Sequence, residues 1–231
     1  MADLASVTIS DGVHTISMDD GKANALSHEM FDILEPAVAA AEQDQSIIVL
    51  RGREGIFTGD FDLKVMMSGF DAAKKLTDRG SQFARRLMST PSPVISVSDG
   101  HCIAMGAFLM LASDYRIGTD GAFKIGLNET AIGIPMHHFG IELARARLPF
   151  PYFNRCVMNA ELFAPGPARE VGFYDAAVVP SEMESALEGA IGHFKSIKLP
   201  AFKIVKPKAR ADLLDVLDNA MALDLKADSP F

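Results

Sequence analysis

With 231 residues, 48% of them apolar, the chain can bury a core of ordinary size, and nothing in its composition calls for more than one main domain. Its formal charge of −8, from 22 basic against 30 acidic residues, excludes a general nucleic-acid binder, which needs a broad electropositive surface. Met1-Ala2-Asp3-Leu4 lacks the basic start and apolar run of a secretory signal, so a cytoplasmic protein is expected. The most apolar uncharged stretch, His101 to Ser113, is well short of the ~20 residues that span a bilayer, so it reads as a buried element and no membrane partner is expected. Cys102 and Cys156 lack the spacing of a redox pair or zinc site and read as reduced and structural.

In chain order, Val7–Ser10 and Val13–Met18 alternate around Asp11-Gly12, which predicts a β-hairpin. Ser27 can cap a helix whose apolar positions Met30, Phe31, Ile33, Leu34, Val38 and Ala41 recur at helical spacing; Ile47–Leu50 then reads as a buried strand. A second helix is predicted over Ala72–Met88, ended by Pro91 and Pro93, before the strand Val94–Val97. Ala104–Ala112 is apolar on every side and fits a helix enclosed by the core. Strands at Tyr115–Ile117 and Ala122–Ile125 follow, then helices over His137–Arg147, Tyr152–Met158, Glu182–Ser196 and Arg210–Leu225. Strands interleaved with helices early and helices alone later indicate an α/β core with a helical C-terminal part. Between Lys195 and Arg210 the basic residues Lys195, Lys198, Lys203, Lys206, Lys208 and Arg210 occur without Asp or Glu. They read mostly as a solvated face, or else as a landing site for a phosphorylated ligand such as coenzyme A.

Three segments resemble the crotonase (enoyl-CoA hydratase/isomerase) superfamily. Lys22-Ala23-Asn24-Ala25-Leu26-Ser27 is similar to the family's Asn-Ala-Leu turn, which borders the CoA site. Gly55-Ile56-Phe57-Thr58-Gly59-Asp60-Phe61-Asp62-Leu63-Lys64 resembles its Phe-Cys-Ala-Gly-Ala-Asp-Leu-Lys loop. Asp99–Gly106, continuing to Asp114–Ile117, resembles Asn-Gly-x-Ala-x-Gly-Gly-Gly and its downstream Cys-Asp. The resemblance implies a spiral of ββα units over residues 1–190, and over 191–231 a C-terminal helical region that helps assemble homotrimers or homohexamers. It implies an acyl-CoA substrate, with no cofactor beyond the coenzyme A that substrate carries. It also implies an oxyanion hole made of the Phe61 and Met105 backbone N–H groups, the latter at a helix N-terminus where negative charge is favoured. Lys22, Ala23, Ala25, Asp60, Asp62, Leu63, Phe108 and Ile132 are the expected substrate contacts. The chain departs from the family at Asp60, where Gly is usual, and at Ala104-Met105, where Gly-Gly is frequent. Backbone donation survives both changes. Asp tolerates positive φ better than most residues, but a carboxylate there works against a neighbouring oxyanion.

Ile125–Gly133 holds the most useful carboxylate. Glu129 is one of 30 acidic residues and could face water, but enclosure by Leu127, Ile132 and Ile134 would raise its pKa and suit a proton shuttle. In the family's hydratases and delta-isomerases the matching position is a catalytic glutamate, and the Ile-Gly-Leu-Asn-Glu-Thr wording is closer to the isomerases. The second glutamate of the hydratases corresponds to Phe108 here, so one-carboxylate proton transfer is the leading expectation. Hydration, with Asp60 as an unusual second carboxylate, is the runner-up, ahead of thioester hydrolysis and of a non-catalytic acyl-CoA-binding protein. His101, His137 and His138 read as polar residues near a pocket, and they lack the spacing of a metal site.

Overall fold

The computed structural model describes residues 4–227; the Met1-Ala2-Asp3 start and the last four residues of the expected 191–231 region lie outside them. Strands β1 (Ala5–Ser10) and β2 (Val13–Met18) form the predicted hairpin. Asp11 and Gly12 have φ of 48° and 73°, the paired positive values that let a two-residue turn follow the strand twist. Helix α1 (His28–Gln43) starts where Ser27 Oγ accepts the Met30 N–H at 3.1 Å.

From there the chain winds in β-β-α turns. Strands β3 (Ile47–Arg51) and β4 (Gly55–Thr58) lead through the short α2 (Leu63–Met66) to α3 (Phe70–Ser89). Next come β5 (Val94–Ser98), β6 (Gly100–Ile103) and α4 (Met105–Ala112), followed by β7 (Tyr115–Thr119), β8 (Ile125–Gly126) and α5 (His138–Arg147). The first strand of each turn joins a six-stranded sheet of order β1-β2-β3-β5-β7-β9, and the second joins a three-stranded sheet of order β4-β6-β8. All pairings after the hairpin are parallel. This is the expected α/β spiral of ββα units.

The central strands β3 and β5 are covered on both faces, so they read as largely apolar runs. Ile48, Leu50 and Val94 face the main core with α1, α3 and α4, while Ile47, Val49, Ile95, Val97 and Ile117 pack against Met183, Leu187, Ala190 and Phe194 of α8 (Met183–Ser196). Helix α4 is buried along its whole length, as its apolar sequence requires.

Several elements differ from the sequence reading. The expected strand over 122–125 is instead the two-residue β8, and β4 and β6, where no strand was predicted, are short paired strands. Gly100 permits that contact: a Cβ there would sit 1.9 Å from the Gly55 carbonyl carbon. Helices α6 (Phe150–Val157) and α7 (Pro165–Val171), strand β9 (Ala176–Val178), and helices α9 (Leu199–Ala209) and α10 (Ala211–Lys226) complete the chain. The basic run does not form one patch. Lys195 pairs with Asp11, and the buried Lys206 reaches Asp114 at 2.6 Å and the Ser92 carbonyl at 3.1 Å. Arg210 meets the other Asp114 oxygen at 2.8 Å. Lys206 and Arg210 therefore fasten the C-terminal helices to the core at Asp114, while Lys195 pairs at the hairpin turn.

Candidate active site

The site begins with a loop that is rigid because its polar groups are satisfied internally. Asp20 accepts the N–H groups of Lys22, Asn24 and Ala25 at 2.7–3.0 Å. Buried Asn24 donates to the carbonyls of Met18 and Phe57. This fixes Leu26, whose N–H donates to the Asp60 carbonyl at 2.9 Å and whose carbonyl accepts the Asp62 N–H at 3.1 Å. In such a parallel bridge residues 60 and 62 bond on one side, so the Phe61 N–H points the other way, into a cavity of about 280 Å³. Asp62 in turn caps α2, accepting the N–H groups of Lys64 and Val65.

The second donor comes from α4. Ala104, at φ 50°, turns the chain from β6 into the helix, leaving the Met105 N–H at its first position with no intrahelical partner. Gly106 lets this end approach the 58–61 segment, since a Cβ there would lie 2.7 Å from Thr58 Cγ2 and 2.8 Å from the Thr58 carbonyl oxygen. Phe61 and Met105 thus line one cavity, as the enolate mechanism requires.

Between these amides stands Asp60. Its Oδ1 accepts the Met105 N–H at 3.3 Å, its backbone φ is 115°, and burial pushes its carboxyl up to about 6 against the lowering effect of the Phe61 and Met105 N–H groups. Glu129 is 8% exposed and its Oε2 has no hydrogen-bond partner. Burial pushes its carboxyl up to about 7, opposed by the N–H groups of residues 128 and 129 and reinforced by the Asp60 charge. Phe108, one turn beyond Met105, supplies an apolar wall. Its ring meets His137 edge-on at 5.7 Å, and His137 stacks on Phe139 at 6.0 Å. Burial lowers the His137 pKa, so the ring is neutral near pH 7.

Asp60, Phe61, Met105, Phe108 and Glu129 therefore share one cavity. Lys22, Ala23, Ala25, Asp62, Leu63 and Ile132 are not part of its wall. Lys22 follows Gly21, which lines a separate groove of about 510 Å³, and Arg53 of that groove donates to the Lys22 carbonyl. Leu63 is 67% and Ile132 53% exposed, so Glu129 shares its cavity not with Ile132 but with Phe61, Phe108, Ile134 and Met136. Sequence reasoning missed the wall formed by Met221, Asp224 and Leu225 of α10. The helical period of α10 is visible in its sequence, but its docking partner is not.

The family model described as enoyl-CoA hydratase/isomerase matches residues 8–229. The chain belongs to this family. The crystal structure of an enoyl-CoA hydratase/isomerase family protein from Pseudomonas syringae is 46% identical and superimposes with a TM-score of 0.94, covering 96% of this chain and 97% of that one. The apo structure of an enoyl-CoA isomerase from Mycobacterium tuberculosis is 33% identical over 97% of this chain and 99% of that chain, with a TM-score of 0.91. Human mitochondrial enoyl-CoA delta isomerase 1 is 28% identical over 204 residues, 86% of this chain and 68% of the human protein. Among the described residues no helix is long and apolar enough to cross a membrane, and no group of three His, Cys, Asp or Glu side chains is placed to hold a metal ion.

Proposed function

We propose that the chain moves a double bond of an enoyl-CoA thioester from the β,γ to the α,β position, with Glu129 as the acid/base. The observation that carries this reading is the buried Glu129 carboxyl, whose Oε2 has no hydrogen-bond partner, in the cavity lined by Phe61 and Met105, with Phe108 where a second glutamate would stand. A carboxyl titrating near 7 is ionised often enough to lift the α-proton and, once protonated, acidic enough to return it at the γ-carbon. The two amides hold the acyl oxygen while it carries the charge, and each such donor contributes ~2.7–4 kcal/mol to barrier lowering. The coenzyme A moiety belongs to the substrate. The exposed apolar side chains of Phe150, Ile204, Val205 and Val216 support the trimer or hexamer implied by the resemblance.

Hydration of a 2-enoyl thioester is the second reading, favoured by the Asp60 carboxyl close enough to Glu129 to raise its pKa. The test assays isomerisation of 3-octenoyl-CoA and hydration of 2-octenoyl-CoA on wild type and Glu129→Gln. Isomerisation is expected to lead, and Glu129→Gln to lose ~10²–10⁴-fold in kcat while still binding the thioester. Hydration outrunning isomerisation would replace the first reading with the second.

A further inference from the structure

Asp60 has no task in the mechanism above, yet its side chain lies where the reaction's charge would develop. Its Oδ1 accepts the Met105 N–H at 3.3 Å, and the Phe61 N–H lies near enough to favour the charged carboxyl. These are the two donors a thioester oxygen needs. Against its burial, the Phe61 and Met105 N–H groups favour the charge of this carboxyl. The residue is held at φ 115°, a conformation that side chains rarely adopt and that persists only where the surroundings impose it. Here the Leu26 bridge on one side and α4 on the other impose it.

We propose, resting on the enolate reading, that Asp60 is a second catalytic residue: its carboxyl takes up a proton when a thioester binds and changes from the acceptor filling the oxyanion hole into a third donor to the acyl oxygen.

Ionised, Asp60 competes with the acyl oxygen for both amides and repels an enolate. Neutral, it has one O–H to donate, and rotation of the side chain leaves both amides to the acyl oxygen. The proton comes from solvent on binding. Ionised Glu129 then removes the α-proton, the C–H electron pair moves into the thioester with the charge on the acyl oxygen, and Glu129 delivers the same proton to the γ-carbon as the double bond forms between α and β. Asp60 keeps its proton throughout and returns it to solvent on product release.

The titratable groups on the other walls of the cavity are Glu129 after β8, His137 and His138 at the start of α5, Lys74 and Asp78 on α3, and Asp224 on α10. Of these, Glu129 is the one coupled to the Asp60 charge, so the two carboxyls share protons and their titration belongs to the pair. Burial raises both carboxyls without ligand. A bound acyl oxygen further favours the neutral form of Asp60, because it offers that carboxyl an acceptor.

The experiment uses octanoyl-CoA, a saturated thioester with no double bond to move, titrated calorimetrically at pH 7.5 in buffers of different ionisation enthalpy. Wild type, Asp60→Asn and Asp60→Gly are compared, and kcat/KM for 3-octenoyl-CoA is followed against pH. Wild type is expected to take up a proton on binding that both variants do not. Its kcat/KM should fall by about tenfold per pH unit on the alkaline side, a limb absent from Asp60→Asn, whose amide donates at every pH. Equal proton uptake and the same alkaline limb in all three proteins would overturn the proposal. So would an Asp60→Asn protein that binds octanoyl-CoA but is inactive at every pH, since an ionised carboxylate would then be needed. If wild type binds no octanoyl-CoA the enolate reading falls as well, whereas binding without Asp60-dependent proton uptake removes this proposal alone. Asp60→Gly, which places glycine at a positive φ, keeps the comparison valid should the Asn variant misfold.

Discussion

At Glu129, burial and a neighbouring charge act in the same direction, and the result bears on stability as well as chemistry. The carboxyl titrates at about 7 in the folded chain against an ordinary 4.5. The folded state therefore binds more protons than the unfolded state between these values, and stability falls as pH rises through that window. The loss is complete above about pH 7 and amounts to at most about 3 kcal/mol. Glu129→Gln should flatten the decline, leaving the smaller share due to Asp60, whose carboxyl is raised for the same reason. Urea unfolding at pH 5 and pH 8 checks this, and a variant whose midpoint drops as steeply as wild type would place the effect elsewhere. The identity of Glu129 was legible from its motif. The contact of the Asp60 carboxyl with the Met105 N–H was not, because it depends on a backbone angle and on the approach of a helix 45 residues away.

Among the elements, the meeting of β4 and α4 decides whether Phe61 and Met105 line one cavity. Adding one methyl group at Gly106 would press on Thr58 and move the first turn of α4 away from the 58–61 segment. Gly106→Ala is expected to destabilise the fold by ~1–3 kcal/mol through overpacking. It should also lower kcat/KM by ~10²–10³-fold, the usual effect of losing one oxyanion donor. Steady-state kinetics beside a thermal melt separates the two, and unaltered kinetics in a destabilised variant would show that the helix end holds its place without the contact. The hairpin, α1, α3, α4 and α5 were readable because each carries either a long apolar period or a turn residue with a specific task. Strands β4 and β6 were not, since four residues including a glycine hold too little periodicity, and α9 was obscured by Pro200 and Pro207.

For the whole molecule, the chain returns to its own site through α10. Asp224 accepts the N–H groups of His138 and Phe139 at 2.7 and 3.0 Å, capping α5, while Met221 and Leu225 close the cavity beside α3. Asp224→Ala should lower stability by about 1 kcal/mol, as for other lost N-terminal caps, and raise KM for 3-octenoyl-CoA more than it lowers kcat. A fall in kcat alone would mean that α10 acts on the chemistry and not on enclosure. In the sequence, periodicity and turn chemistry determined the α/β class, and the motifs carried the family resemblance, which implies the ββα order and the candidate carboxyl and amide donors. These depend on local periodicity, turn chemistry and motif spacing, all carried within short segments. Tertiary structure alone decided that the Asp60 carboxyl meets the Met105 N–H, that Ile132 and Leu63 face solvent, that Lys206 and Arg210 serve Asp114, and that α10 walls the cavity. Each of those outcomes depends on which surfaces meet across long stretches of chain, and side-chain burial and charge pairing take their values only once that packing is in place.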